Sequence, residues 1–562
     1  MIVRKQIVKN KDGTTRTYLL LVEAYREKGK VKQHFLANLG RVDDPQTALN
    51  VDRLMEKLKV FALKQQVIDM GKDLLAEDAK LYGPLVIFRR LWNQLQIGSV
   101  LEEALHQGHV ETEFHEAIFC MVLNRLLNPE SKRGTFFWKD TVYEPAWDSL
   151  DLQHLYRAMD FLEKRASDLE HQLSQRFLNL CNLDLDLVLM DTTTVMYDGE
   201  GDESELLKHG YSRDKRPDLK QVVVAVAMTK QGFPLACEIF AGNVSDRKSF
   251  PELWKKIRAR FPAIKRLIIV CDRGSISEKN LKDLDDLKLD YIVGVRMRSL
   301  EEEKRLKLLS DSGFHPVSED AELEVKEKTY VNEDGQKRRY IVALNRNEAK
   351  YEKAKREAFR KILDQKVAKR TLKEWVVKNG FKKYVKFTKG SEIVVDEARL
   401  DKEEIYDGKW VLLTSTEFSA KDVALHYKGL AIVERGFRSM KSDFKVHPVF
   451  HRVSRRIRAH VFLCFLALVL KQYFRWLLAE QAQKTQTMPP SYTELMRDLE
   501  QLRAIDLKVG EKHWVLRTEL QGQSHLAFAA LKMQPPARVL EAGVKKTPKP
   551  KPIEKFQQMS LV

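Results

Sequence analysis

Residues 187–195 read LVLMDTTTV and residues 266–274 read RLIIVCDRG, two short apolar runs that each lead directly into an aspartate, Asp191 and Asp272. Both runs are too short for a globular helix and rich in branched aliphatics, so each reads as a buried strand. QVVVAVAMT (221–229), PLACEIFAG (234–242) and YIVGVR (291–296) share this texture. Helical spacing fills 246–260 and 277–287. The resulting order, β-β-β-α-β-α-β, predicts a mixed sheet with helical crossovers in an α/β fold. Carboxylates at the ends of neighbouring buried strands converge on one sheet edge. Asp184 and Asp186 precede the first run and fall at its opposite end, which leaves Asp191 as the choice.

A strand-terminal aspartate is commonly a turn residue or a helix cap, so two carboxylates need a third before they define a site. Glu434, in the helical segment 427–441, is the third candidate. Hard divalent cations such as Mg²⁺ take oxygen ligands. Two ions about 4 Å apart can be held by three carboxylates while phosphate oxygens complete their shells. Glu434, Arg438 and Lys441 fall on one helix face, at offsets of four and three, with Tyr427 two turns earlier. Taken alone that face is a surface salt bridge; beside a metal site its cations would grip phosphates next to the scissile bond. The loop HGYSRDKRPDLK (209–220) carries Arg213, Lys215, Arg216 and Lys220, and four arginines, including Arg455 and Arg456, crowd residues 452–458. Both are read as DNA-facing. Trp375 and Trp410 are read as core residues.

Outward from this centre, the 562 residues predict several domains. TYLLLVEAY and VKQHFLANL, separated by REKGK, form a basic β-hairpin module over 1–50. Residues 51–184 read as a helical domain, assigned to DNA-end binding. The core runs over 185–297 and resumes over 420–480 with the Glu434 helix. Between them, 298–419 is a β-containing basic insertion, in which residues 351–389 hold fourteen Lys/Arg against four acids. Residues 481–562, assigned to dimerisation, end in a basic tail. The excess of 98 Lys+Arg over 80 Asp+Glu, a charge of +18, points to a polyanionic partner. Five scattered cysteines indicate neither a disulfide framework nor a zinc site. The basic N-terminus lacks the apolar stretch of a secretory signal. The apolar run 461–470 is too short to span a bilayer and reads as a buried helix, so no membrane role is expected.

MDTTTV, GYSRDKRPDLKQV, PLACEIFAGNVSD, VCDRG and HYKGLAIVERGFRSMK, in that order, resemble the DDE transposases of bacterial insertion sequences. The likeness is to the group with a β-rich insertion before the catalytic Glu and a Tyr/Arg/Glu/Lys signature with two, three and six intervening residues. Tyr427, Glu434 and Lys441 match that spacing, whereas Leu430 stands at the arginine position. The resemblance implies a ribonuclease-H-like core in which Asp191, Asp272 and Glu434 bind two Mg²⁺ (or Mn²⁺). It also implies a protein that cuts its terminal inverted repeats and joins the 3′-OH to target DNA. Double-stranded DNA, a homodimer in the DNA complex, no small-molecule substrate and a cytoplasmic, nucleoid-associated location follow from it. The competing readings are a ribonuclease-H-like metal-dependent endonuclease and a transposase-derived DNA-binding protein without chemistry. An aspartyl phosphotransferase is excluded because no second Asp stands two residues after Asp191.

Overall fold

The computed structural model describes residues 2–10, 13–27, 30–59, 74–108, 113–181, 185–199, 204–262, 267–272, 277–331, 335, 337–366, 385–387, 393–509 and 512–543. Trp375, Arg273 and the basic tail lie outside the described residues. The chain divides into two compact units, Met1–Ala79 with Ile505–Arg517 and Ala537–Val562, and Lys80–Ala504 with Thr518–Pro536.

The first unit begins with a three-stranded antiparallel sheet of Ile2–Lys9, Thr15–Glu27 and Lys30–Arg41, with the second strand central. The sequence reading found the last two strands. It missed the first, IVRKQIVK, because all eight of its residues are exposed and no apolar alternation marks a buried face. Gly40, at φ 115° and pressed against Thr47 of the helix Pro45–Lys59, has no room for a Cβ. Leu74–Leu81, expected within the helical segment, is instead a strand at the edge of a four-stranded sheet with Arg503–Val509, Lys512–Arg517 and Val539–Gly543.

The second unit is built on one nine-stranded sheet. Its strands are Leu187–Met196 (β1), Gln221–Thr229 (β2), Pro234–Ala241 (β3), Ile268–Cys271 (β4), Asp290–Val295 (β5), His315–Val317 (β6), Asp320–Val331 (β7), Lys337–Asn345 (β8) and Lys409–Thr414 (β9). The sheet order is β6-β7-β8-β9-β5-β4-β1-β2-β3. β4 lies parallel to both β1 and β5, and helices Asp246–Arg260 and Glu278–Asp286 precede β4 and β5 as the expected crossovers. The mixed α/β class therefore holds. The insertion differs from expectation in one respect: β9 pairs antiparallel with β5, with Val411 opposite Val295, so its main strands extend the core sheet.

Both faces of the central strands are covered, which is why they read as continuous apolar runs. Leu187 and Leu189 join a core that includes Phe465, Leu466 and Leu470 of the helix Ser454–Lys484, whereas Val188 and Met190 face a second core with Phe250, Leu253 and Trp254. Ser454–Lys484 is long and apolar enough to cross a membrane, but 78% of its most apolar window is buried inside the protein.

Lys132, at the start of the helix Lys132–Trp138, is buried with no hydrogen bond to its Nζ, in a cluster with Arg125, His451, His460 and Cys464. Burial first, then the Arg125 charge, pushes its ammonium down to about 7. The unfolded chain binds this proton up to a much higher pH. Above pH 7 it therefore holds more protons than the native state, and stability rises with pH through that window. Lys132→Met is expected to abolish this rise between pH 7 and 9. It should also stabilise the protein at pH 7 by a few kcal/mol, at about 1.4 kcal/mol per pKa unit. Urea unfolding at the two pH values reads both effects, and an unchanged slope would assign the titration elsewhere.

Candidate active site

β1 and β4 run parallel with Met190 opposite Cys271, so Asp191 and Asp272 are the next residue on each strand. β4 ends there. β1 does not, because Asp191 also pairs with Val226 of β2 and the strand continues to Met196. After β9, helix Ala420–Lys428 and helix Ala431–Arg438 break at Gly429–Leu430, where a single helix was expected, and Lys441 lies in the π turn Ser439–Asp443 that follows. This arrangement carries Tyr427 and Glu434 to the two aspartates. All four line one cavity of about 330 Å³, together with Arg213, Trp410 and Leu430.

The cavity is strongly polarised. Burial pushes the Asp191 carboxyl up to about 6, against the opposing pull of Arg213 and with added repulsion from Asp272 and Asp246. The Thr192 N–H donates to Asp191 Oδ1 at 2.7 Å, and the Arg213 guanidinium stands 3.5 Å from the same oxygen. Arg213 is itself anchored by the Thr192 carbonyl and hydroxyl and by Asp246 Oδ2 at 3.2 Å. The Tyr427 hydroxyl donates to Asp272 Oδ1 at 2.7 Å. Glu434 is exposed.

The remaining cations chosen from the sequence have diverse fates. Lys441 Nζ donates to both oxygens of Asp214, at 2.9 and 2.8 Å, tying the Glu434 segment to the 209–220 loop. Arg438 is exposed, as are Lys215 and Arg216, but Arg216 is paired with Asp218; Lys220 is half-buried. Arg455 and Arg456 both bind Asp160, and Arg456 also covers the Tyr156 ring, so neither is brought to the cavity. Sequence reasoning missed Asp246 and Thr192, joined by a 2.6 Å hydrogen bond from the threonine hydroxyl. It also set aside Trp410. Asp246 carried a usable signal, an acid after Ser245 at a helix start.

Two carboxylates at a parallel strand pair and a third from a helix line one acidic cavity. Residues 182–470, more than half of the chain, match the transposase DDE domain family, and residues 3–66 match the N-terminal domain of the IS1634 transposase family. The chain belongs to the DDE transposases and is a DNA transposase of the insertion-sequence type. It also shows similarity to a piggyBac transposase in a synaptic complex with hairpin DNA, determined by electron cryomicroscopy. That likeness has a TM-score of 0.35 and 10% identity, over 74% of this chain and 79% of that one. No curated protein matches the chain.

Proposed function

We propose that this transposase hydrolyses one DNA strand at each end of its insertion sequence and joins the freed 3′-OH to target DNA, using Asp191, Asp272 and Glu434 as its catalytic carboxylates. The observation that carries the reading is the in-register placement of Asp191 and Asp272 in one cavity with Glu434. The order β3-β2-β1-β4-β5, antiparallel and then parallel, supports a ribonuclease-H-like core. The donor set fits hard divalent ions, since among the described residues no thiol or imidazole lines the cavity and burial raises the Asp191 carboxyl despite Arg213. Asp191, Asp272 and Glu434 would hold two Mg²⁺ or Mn²⁺. When bound, such ions polarise phosphoryl oxygens and acidify a water.

The protein's own residues position the reaction. Tyr427 fixes the Asp272 carboxylate through its hydroxyl. Arg213 supplies from the 209–220 loop the cation that the family signature places at position 430, where Leu430 is buried instead. Arg438 stands one helical turn beyond Glu434, where it can bind a flanking phosphate. The protein would work on the bacterial nucleoid, with two protomers pairing two ends, because duplexes side by side repel and need cationic surface between them.

The test uses end DNA taken from the sequence flanking the reading frame. Nicking is expected with Mg²⁺ or Mn²⁺, to be poorly supported by Ca²⁺ and to vanish in chelator. The active complex should contain two protomers and two ends, with affinity falling steeply as salt rises. Cleavage in chelator would overturn the metal role, and an active complex of one protomer on one end would favour the endonuclease.

A further inference from the structure

Beside the carboxylate cavity lies a larger one of about 680 Å³, and Arg213 lines both. Thr193 and Asn243 line it, together with Tyr211, Arg247 and Arg296. Tyr211 is 88% exposed, an aromatic ring left in water next to a polar recess. Arg247 and Arg296 are exposed, and among the described residues neither has a carboxylate partner, in contrast to Arg216 with Asp218 and Arg456 with Asp160. An exposed ring, two guanidiniums without a carboxylate partner among the described residues and an amide side chain match the three parts of a nucleotide. The ring offers a stacking face for a base, the arginines bind phosphates, and Asn243 meets a base or sugar edge. The volume lies in the range of pockets that hold a small ligand.

We propose that this cavity receives an unpaired nucleotide of the DNA strand next to the scissile phosphate, with its base on Tyr211 and its flanking phosphates on Arg247 and Arg296. The placement next to the reacting phosphate rests on the transposase reading above, whereas the pocket's preference for an unpaired strand does not.

The experiment uses the full chain in chelator, so that no chemistry is required. The probes are a six-residue oligothymidylate and a blunt mixed-sequence duplex of twelve base pairs. Tyr211→Ala and the double variant Arg247→Ala/Arg296→Ala are each expected to weaken oligothymidylate binding at least tenfold while changing duplex binding less than twofold. Tyr211→Phe should bind as wild type does. Tyr211→Trp should add a fluorescence component, relative to wild type, that the oligothymidylate quenches and the duplex does not. Equal loss of both affinities would mark a general cationic surface and overturn the pocket, as would undiminished binding by Tyr211→Ala. Loss of end cleavage in the carboxylate variants has no bearing on either result, so failure of the pocket and failure of the catalytic reading remain distinguishable.

Discussion

Asp191→Ala, Asp272→Ala and Glu434→Ala are each expected to lower the rate of end cleavage by a factor on the order of 10³ or more, with end-DNA binding held within about twofold. The size follows because in the proposed role each carboxylate serves the transition state, and every ~1.4 kcal/mol lost there is a factor of ten. Binding is spared because affinity for DNA comes from cationic surface. Folding should be spared too. Glu434 is exposed, and at Asp191 desolvation with repulsion from Asp272 and Asp246 outweighs the pull of Arg213, so its removal relieves unfavourable charge. Single-turnover nicking and a gel-shift titration on the same end DNA check both halves. Full activity in any one variant would remove that residue from the centre, and parallel loss of binding in all three would mark them as structural.

The second large effect is on stability. Glu170, on the helix Leu152–Leu180, is 2% exposed and accepts hydrogen bonds from the Arg260 guanidinium and the Cys237 N–H, with Lys256 Nζ at 2.9 Å. Arg260 and Lys256 belong to the crossover helix Asp246–Arg260, and Cys237 belongs to β3. One carboxylate therefore ties three elements together, including the helix whose first residue, Asp246, anchors Arg213. Glu170→Ala leaves the buried Arg260 charge uncompensated, which costs about 3–5 kcal/mol when one partner of a buried pair is removed. Urea unfolding is the measurement. The double variant Glu170→Met/Arg260→Met should recover much of that loss, because no unpaired charge then remains inside. A loss below about 1 kcal/mol for Glu170→Ala would show that water or another group already screens Arg260.

The sequence by itself determined those features whose signal is local. The runs before Asp191 and Asp272 are covered on both faces, so their side chains are apolar without alternation, and the order of strands and crossovers followed from them. The three carboxylates that line one cavity were legible for the same reason: two acids directly follow buried runs, and Glu434 sits at a recognisable spacing from Tyr427 and Lys441. Residues 2–9 and 74–81 were not legible, since strands with largely exposed side chains show no apolar alternation. The joining of the insertion to the core sheet was decided by β9 hydrogen-bonding to β5, more than a hundred residues earlier, which periodicity within either strand cannot report. The fate of the cations was decided in the same way. Arg213 reaches Asp191 and Asp246, Lys441 reaches Asp214 across 227 residues, and Arg455 and Arg456 are taken up by Asp160. A basic residue announces only its charge. Which carboxylate it meets, and whether any of it is left for DNA, depends on distances that only the folded chain sets.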